Sequence, residues 1–336
     1  MIKRVWLPVV SVGFLLSTVV WGAPATQDPS SMFDFHSGFW MNLHHFIYAD
    51  ASSLRPPQKG PTLKINQADA ETAKRLSPLE QAAWNKFVAY YTANYIQRDQ
   101  LSDDDLVDIK EKLESAEASP DLKDVGISDE LKSLLLQAAP IYRKYWWKQH
   151  NQQNKQWVAQ LRPLLDQHAS QLRRSLERIY DTSWPTEPVR VEAVAYANWA
   201  GAYTSIDPTT QVTISTTNAG NQGTAALEII FHESSHGMMD KLRNAIKDAI
   251  ATLPADKQKA ISMGLWHAVL FYTAGELVAE DYPGYVPYAE QHGLWSRAWP
   301  EPIRSLIIQD WKTHMKEAET LNGAVTKLVN DLASSR

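Results

Sequence analysis

The chain has 336 residues and no cysteine. A disulfide framework is therefore excluded, and stability has to come from an apolar core. Excess positive charge is missing too. Lys and Arg number 33 against 38 Asp and Glu, for a net charge of −5. That balance argues against a nucleic-acid surface. Beyond the first 21 residues no stretch is long and apolar enough to cross a membrane. There is no internal repeat and no long low-complexity tract. What is present is an ordinary globular composition, 44% apolar and 21% charged, able to build a sizeable core. Thirteen Trp and thirteen Tyr point to extensive aromatic packing or an aromatic-lined cleft.

The first residues read as an export signal. Lys3 and Arg4 precede the apolar run "VWLPVVSVGFLLSTVVW", and "APA" follows at Ala23–Ala25. A basic start, a short apolar stretch and a small-residue cleavage site together predict removal of residues 1–25. An uncleaved anchor is the alternative. The expected location is secreted or periplasmic, and a cysteine-free chain suits that setting.

Helices dominate the next segment, residues 26–185. In "SPLEQAAWNKFVAYYTANYIQRD", Ser77 is the N-cap, Pro78 the first helical residue and Glu80 the closing member of a capping box. A second helix is expected from Ser102, with acids in its first turn. Residues 128–180 stay helical in pattern, with kinks or breaks expected at Pro140 and Pro163. "ASSLRPPQKGPT" reads as a loop. "FDFHSGFWMNLHHFIY" puts His36, Trp40 and His44 on one helical stripe, read as an aromatic anchor rather than a second metal site.

After "SWPTEP" the pattern changes. "VRVEAVAYANWAGAYTS" and "QVTIST" are short and β-rich, with turn chemistry at Asp207-Pro208 between them. Residues 186–336 then form the second region, a small hairpin or sheet followed by helices. The fold class is mainly α with a small β element.

The chemistry sits in "IIFHESSHGMMDKL", where His232, Glu233 and His236 form H-E-x-x-H. On a helix, residues four apart share a face, so both imidazoles can reach one zinc ion. Glu233 lies about 100° round from His232, beside the ion. There it can take a proton from a metal-bound water. A catalytic zinc site needs a third protein ligand and an open position. Met239 and Leu242 stand where a metzincin would carry glycine and histidine, so that class is excluded. The third ligand is sought in "LWHAVLFYTAGELVAEDY", where acids in an apolar helix would be costly unless they were paired or bound a metal. Glu276, after the small pair Ala274-Gly275, is the expected ligand. Glu280, one turn on, is the expected outer residue that orients a ligand histidine, with Asp281 as its alternative. Glu228 and Asp240, one turn to each side of the histidines, are read as ordinary helix salt-bridge residues.

H-E-x-x-H on a helix, a strand before it and G-E-x-x-x-acid on a later helix resemble the gluzincin zinc metallopeptidases of thermolysin-like architecture. The resemblance spans about residues 189–285. It implies a gluzincin-like core with His232, His236 and Glu276 as ligands to one zinc, Glu233 as base, and Glu280 as the outer acid. It also implies "QVTIST" as the edge strand that pairs with an extended peptide or protein substrate. Tyr272 shares the Glu276 face and is the expected transition-state stabiliser. His267 is the other candidate for that catalytic role; nine residues before Glu276, it points the other way on an unbroken helix, faces the site only if the helix bends at Gly275, and reads equally as a core histidine. Tyr282, Tyr285 and Tyr288 form a loop that could close over the site. The competing readings are a secreted helical binding protein with an inactive motif, and a zinc hydrolase of non-peptide amides.

Overall fold

The computed structural model describes residues 31–55, 63–101, 103–117, 119–206, 209–259 and 261–335. The expected signal at 1–25, most of the loop at 51–62, Ser102 and the Asp207-Pro208 turn lie outside the described residues.

Most of the described chain is helical, with one small sheet. Strand β1 (Phe33–His36) opens it. There follow α1 (Phe39–Ser53), α2 (Gln67–Ala73), α3 (Pro78–Asn94), α4 (Asp104–Ser115), α5 (Asp129–Tyr142) and α6 (Lys148–Tyr180). Strands β2 (Val189–Val194), β3 (Ala202–Ser205) and β4 (Gln211–Ser215) precede α7 (Thr224–Ser235) and α8 (Asp240–Ala251). Short α9 (Ala255–Gln258) leads to α10 (Leu265–Asp281). The chain ends with α11 (Tyr288–Gln291), α12 (Leu294–Arg297), α13 (Ile303–Leu306), α14 (Lys312–Met315) and α15 (Leu321–Ser334). Among the described residues no helix is long and apolar enough to cross a membrane.

The local signals explain several of these boundaries. At the start of α3 the Glu80 amide donates to Ser77 Oγ at 3.3 Å, and the Ser77 amide donates to Glu80 Oε2 at 2.9 Å. Both orphan donors of the first turn are thereby satisfied. Helix α4 is capped by Asp103, whose Oδ1 accepts from the Leu106 amide at 3.1 Å. Pro140 lies in the last turn of α5, and a wide π-helical turn over Arg143–Trp147 follows it. A proline ring cannot donate its backbone nitrogen, and the ladder loosens around such positions. No break occurs at Pro163, which sits inside an α6 that continues to Tyr180.

The sheet runs β1-β2-β4-β3. Strands β1, β2 and β4 are parallel, and β3 is antiparallel to β4. Two expectations change here. "FDFH" is a strand, with Phe33 opposite Val189, so His36 does not share a helix with Trp40 and His44. "QVTIS" is β4, an interior strand with Val212 and Ile214 fully buried, and the sheet edges belong to β1 and β3. The pairing register puts β4 between two neighbours, which leaves it no unpaired edge for a substrate.

Buried apolar residues form two clusters. One gathers α1, α3, α4 and α5 around Trp40, Phe46, Trp84 and Trp146. The other gathers α6, the sheet, α7, α8, α10 and α15 around Trp157, Phe231, Val269 and Trp311. Helix α7 lies against β3, β4, α6 and α10. That explains its composition, since every residue from Ala225 to Ser235 is buried.

Candidate metal centre

Helix α7 carries His232 and Glu233 and ends at Ser235, where a tight 3-10 turn over His236–Met238 takes over. His236 therefore stands at the helix end and still points to the His232 face. His267 comes from the first turn of α10, which packs on α7. The three imidazoles each offer a nitrogen, and these nitrogens lie within 4.8 Å of one another. His232 Nε2 and His267 Nε2 are 3.3 Å apart. Ligands about 2.0–2.1 Å from a tetrahedral ion would be roughly 3.3–3.4 Å apart, so this pair already has ligand spacing. The group could hold a metal ion.

The electrostatics favour the same use. Burial, reinforced by His236 and His267, holds His232 well below the ordinary imidazole range. Burial also lowers His236 to about 3 and His267 to about 4. All three rings are neutral in the physiological range and keep a lone pair for a cation. Trp266 stacks on His267 with ring centres 4.9 Å apart, and Arg243 sits over Trp266 at 3.9 Å. Phe271 closes in on His232 at 3.8 Å between centres.

Glu233 stands next to this group. Thr204 Oγ1 on β3 donates to Glu233 Oε2 at 2.6 Å and also reaches the Glu233 carbonyl oxygen at 3.0 Å. Burial pushes the Glu233 carboxyl up to about 7, against the Thr204 hydrogen bond, which lowers it. A carboxyl near neutrality can both accept and return a proton. Its Oε2 is 3.8 Å from His236 Nε2.

The structure does not bring Glu276 to the histidines. Its carboxylate pairs with Lys312, and with Tyr272 it lines a separate cavity of about 390 Å³. The reason is helical geometry. Nine residues turn about 900°, so His267 and Glu276 point to opposite sides of α10. His267 and Phe271 form the stripe facing α7, while Tyr272 and Glu276 form another stripe. Tyr272 is thus off the site, and His267, expected to point away, is on it. Glu280 is exposed, and Asp281 accepts from or pairs with His168 Nδ1 at 2.8 Å. His44 bonds the Tyr91 hydroxyl at 2.8 Å, and His36 pairs with Asp34 and Glu117. Neither is near the other in a metal-holding arrangement among the described residues.

The acid one turn before His232 has a different task from the salt bridge expected of it. Glu228 Oε2 accepts from the Tyr285 hydroxyl at 2.6 Å and the Tyr288 amide at 2.9 Å. It anchors the loop that brings Tyr288 into the cavity lined by the three histidines. Gly275 makes this possible. A Cβ there would come within 2.6 Å of Pro287 Cβ and 3.1 Å of Glu228 Oε1. The small residue admits the tyrosine loop rather than a metal. Asp240 is exposed at the start of α8.

The centre opens into a cavity of about 570 Å³. Trp199, Phe271, Tyr288, His292, Arg297 and Trp299 are among its lining residues. Trp199 is half-exposed at the lip and donates its indole N–H to Asp99 at 3.0 Å. The sequence reading passed over Thr204, His292, Arg297 and Trp299. "AYTS" and "GLWSRAW" carry no motif, and only the folded chain brings them to the histidines. No family model, curated protein or solved structure matches the chain.

Proposed function

We propose that the chain is an exported zinc-dependent hydrolase that cleaves peptide bonds, with one zinc ion per chain. His232, His236 and His267 would hold the ion. The observation that carries this reading is the convergence of three neutral imidazoles beside a buried carboxyl of near-neutral pKa. Zinc held there would supply Lewis acidity toward a carbonyl and lower the pKa of water. Glu233 takes the proton of the attacking water and returns it to the leaving nitrogen. Thr204 orients the Glu233 carboxylate through the 2.6 Å hydrogen bond. The unpaired edge of β3 offers backbone donors and acceptors to an extended chain. Tyr288 and His292 line the cavity, and both carry donors suited to a developing oxyanion.

This ligand set departs from the gluzincin pattern, which uses two histidines and a glutamate. The export assignment rests on Lys3, Arg4 and the apolar run after them. The test of the catalytic reading is Glu233→Gln. The variant should keep its zinc and lose at least about 100-fold in turnover of a peptide substrate, because a proton acceptor is removed and no metal bond is. A variant that still turned over peptides at the parent rate would sink the assignment.

A further inference from the structure

We propose that Arg297 receives the free carboxylate of a substrate, so that the site removes a large apolar residue from the C-terminus of a peptide or an N-acyl amino acid. This rests on the hydrolase reading above and adds the substrate class. The argument starts with charge. The second cavity, beside Tyr272, balances its own cations, since Lys312 pairs with Glu276 and Arg304 with Glu290. The metal cavity does not. Among the described residues no carboxylate pairs with Arg297, and the acid lining that cavity, Glu233, is committed to Thr204 and the proton. Arg297 lies exposed at the rim of the cavity, where its Nη2 donates to the His292 carbonyl oxygen at 2.5 Å. A guanidinium so held keeps further N–H groups for a bidentate carboxylate.

Shape supplies the second half. The remaining walls include Phe271, Leu294, Trp299 and Trp199, apolar surfaces that an aromatic or large aliphatic side chain would cover. An internal Asp or Glu would satisfy Arg297 and leave those walls wet. An internal Phe would fill the walls and leave the exposed guanidinium to water alone. A C-terminal Phe or Leu does both at once. In the reaction the water oxygen bonds to the carbonyl carbon of the last peptide group and the C–N bond breaks. Glu233 passes the water proton to the departing nitrogen, which leaves with the terminal residue as a free amino acid.

The test compares N-acetylphenylalanine with its C-terminal amide, by calorimetric titration of zinc-loaded and of metal-free protein. The parent protein should bind the acid about 10- to 100-fold more tightly than the amide in both forms, the range for a charge-assisted hydrogen-bonded pair. In Arg297→Met the affinity for the acid should fall to that for the amide. Arg297→Lys should keep part of the preference, since it offers a point charge without the planar fork. Equal affinities in the parent, no binding of either compound, or a preference that survives in Arg297→Met would overturn the proposal. Benzoyl-glycyl-phenylalanine and its amide are then offered as substrates. Faster cleavage of the acid, with the difference lost in Arg297→Met, supports the assignment. Equal losses on acid and amide would make Arg297 a group that acts at the reacting carbonyl, against the proposal. A carboxylate preference in binding with no hydrolysis of either would uphold the carboxylate site and overturn the hydrolase reading.

Discussion

Replacing Glu228 by glutamine should make the protein more stable above neutral pH. Glu228 is fully buried on α7, and its Oε2 takes two hydrogen bonds, from the Tyr285 hydroxyl and the Tyr288 amide. Oε1 has no partner. Desolvation by burial outweighs those two bonds and pushes its pKa up to about 7, from 4.5 in the unfolded chain. The folded state therefore binds one more proton than the unfolded state between pH 4.5 and about 7, so stability falls as pH rises through that window. A shift of about 2.5 pH units at 1.36 kcal/mol each corresponds to roughly 3 kcal/mol. Glutamine mimics the neutral carboxyl, because its carbonyl oxygen can accept both bonds. At pH 5 the Glu228→Gln variant should match the parent within about 1 kcal/mol. At pH 8 it should be more stable by roughly 3 kcal/mol. Urea unfolding of metal-free protein across pH 5–8 measures both. Glu192 and Glu233 are also raised to about 7 by burial, so the parent's pH dependence has several sources. The slope difference between parent and variant isolates Glu228. Parallel pH curves for the two would refute the reasoning, and a variant weaker at every pH would mean that the buried group is an anion its neighbours stabilise.

Thr204→Val keeps the shape of the side chain and removes the donor to Glu233. It should lower turnover about 10-fold and move the acidic limb of the rate–pH profile without altering zinc content, and Thr204→Ser should restore most of the loss. Gly275→Ala should cost about 1–3 kcal/mol in thermal or urea unfolding, because the added methyl meets Pro287 at 2.6 Å and the tyrosine loop must shift.

Elements that depend on local chemistry were readable before the fold was known. The Ser77–Glu80 capping box starts a helix as its pattern predicts, and H-E-x-x-H sits at the end of a buried helix. The third candidate ligand was not readable in the same way. Acids in an apolar helix draw attention because burying them is costly, and that argument selected Glu276. Its charge is balanced by Lys312, 36 residues further along, and no local pattern announces that pairing. The helix period did contain the answer, since it placed His267 and Glu276 on opposite sides, but it did not say which side faces α7. Strand β1 escaped for a related reason. Four residues, "FDFH", are too few for a period-2 signal to stand out beside the helix that follows, and only pairing with Val189–Glu192 makes them a strand. The edge strand was mistaken because strand order is set by long-range pairing, and β4 is threaded between β2 and β3.

Zinc content of the purified protein beside its His267→Ala and Glu276→Ala variants tests the central claim most directly, with each variant shown to unfold cooperatively. The parent should carry about one zinc per chain, since three imidazoles beside an open position make a catalytic site. His267→Ala should come out of the column largely stripped. Glu276→Ala should keep its zinc, having lost a partly exposed ion pair worth at most about 1 kcal/mol. A parent without zinc after growth in ample metal would contradict the account, as would a Glu276→Ala protein that lost the ion while His267→Ala retained it.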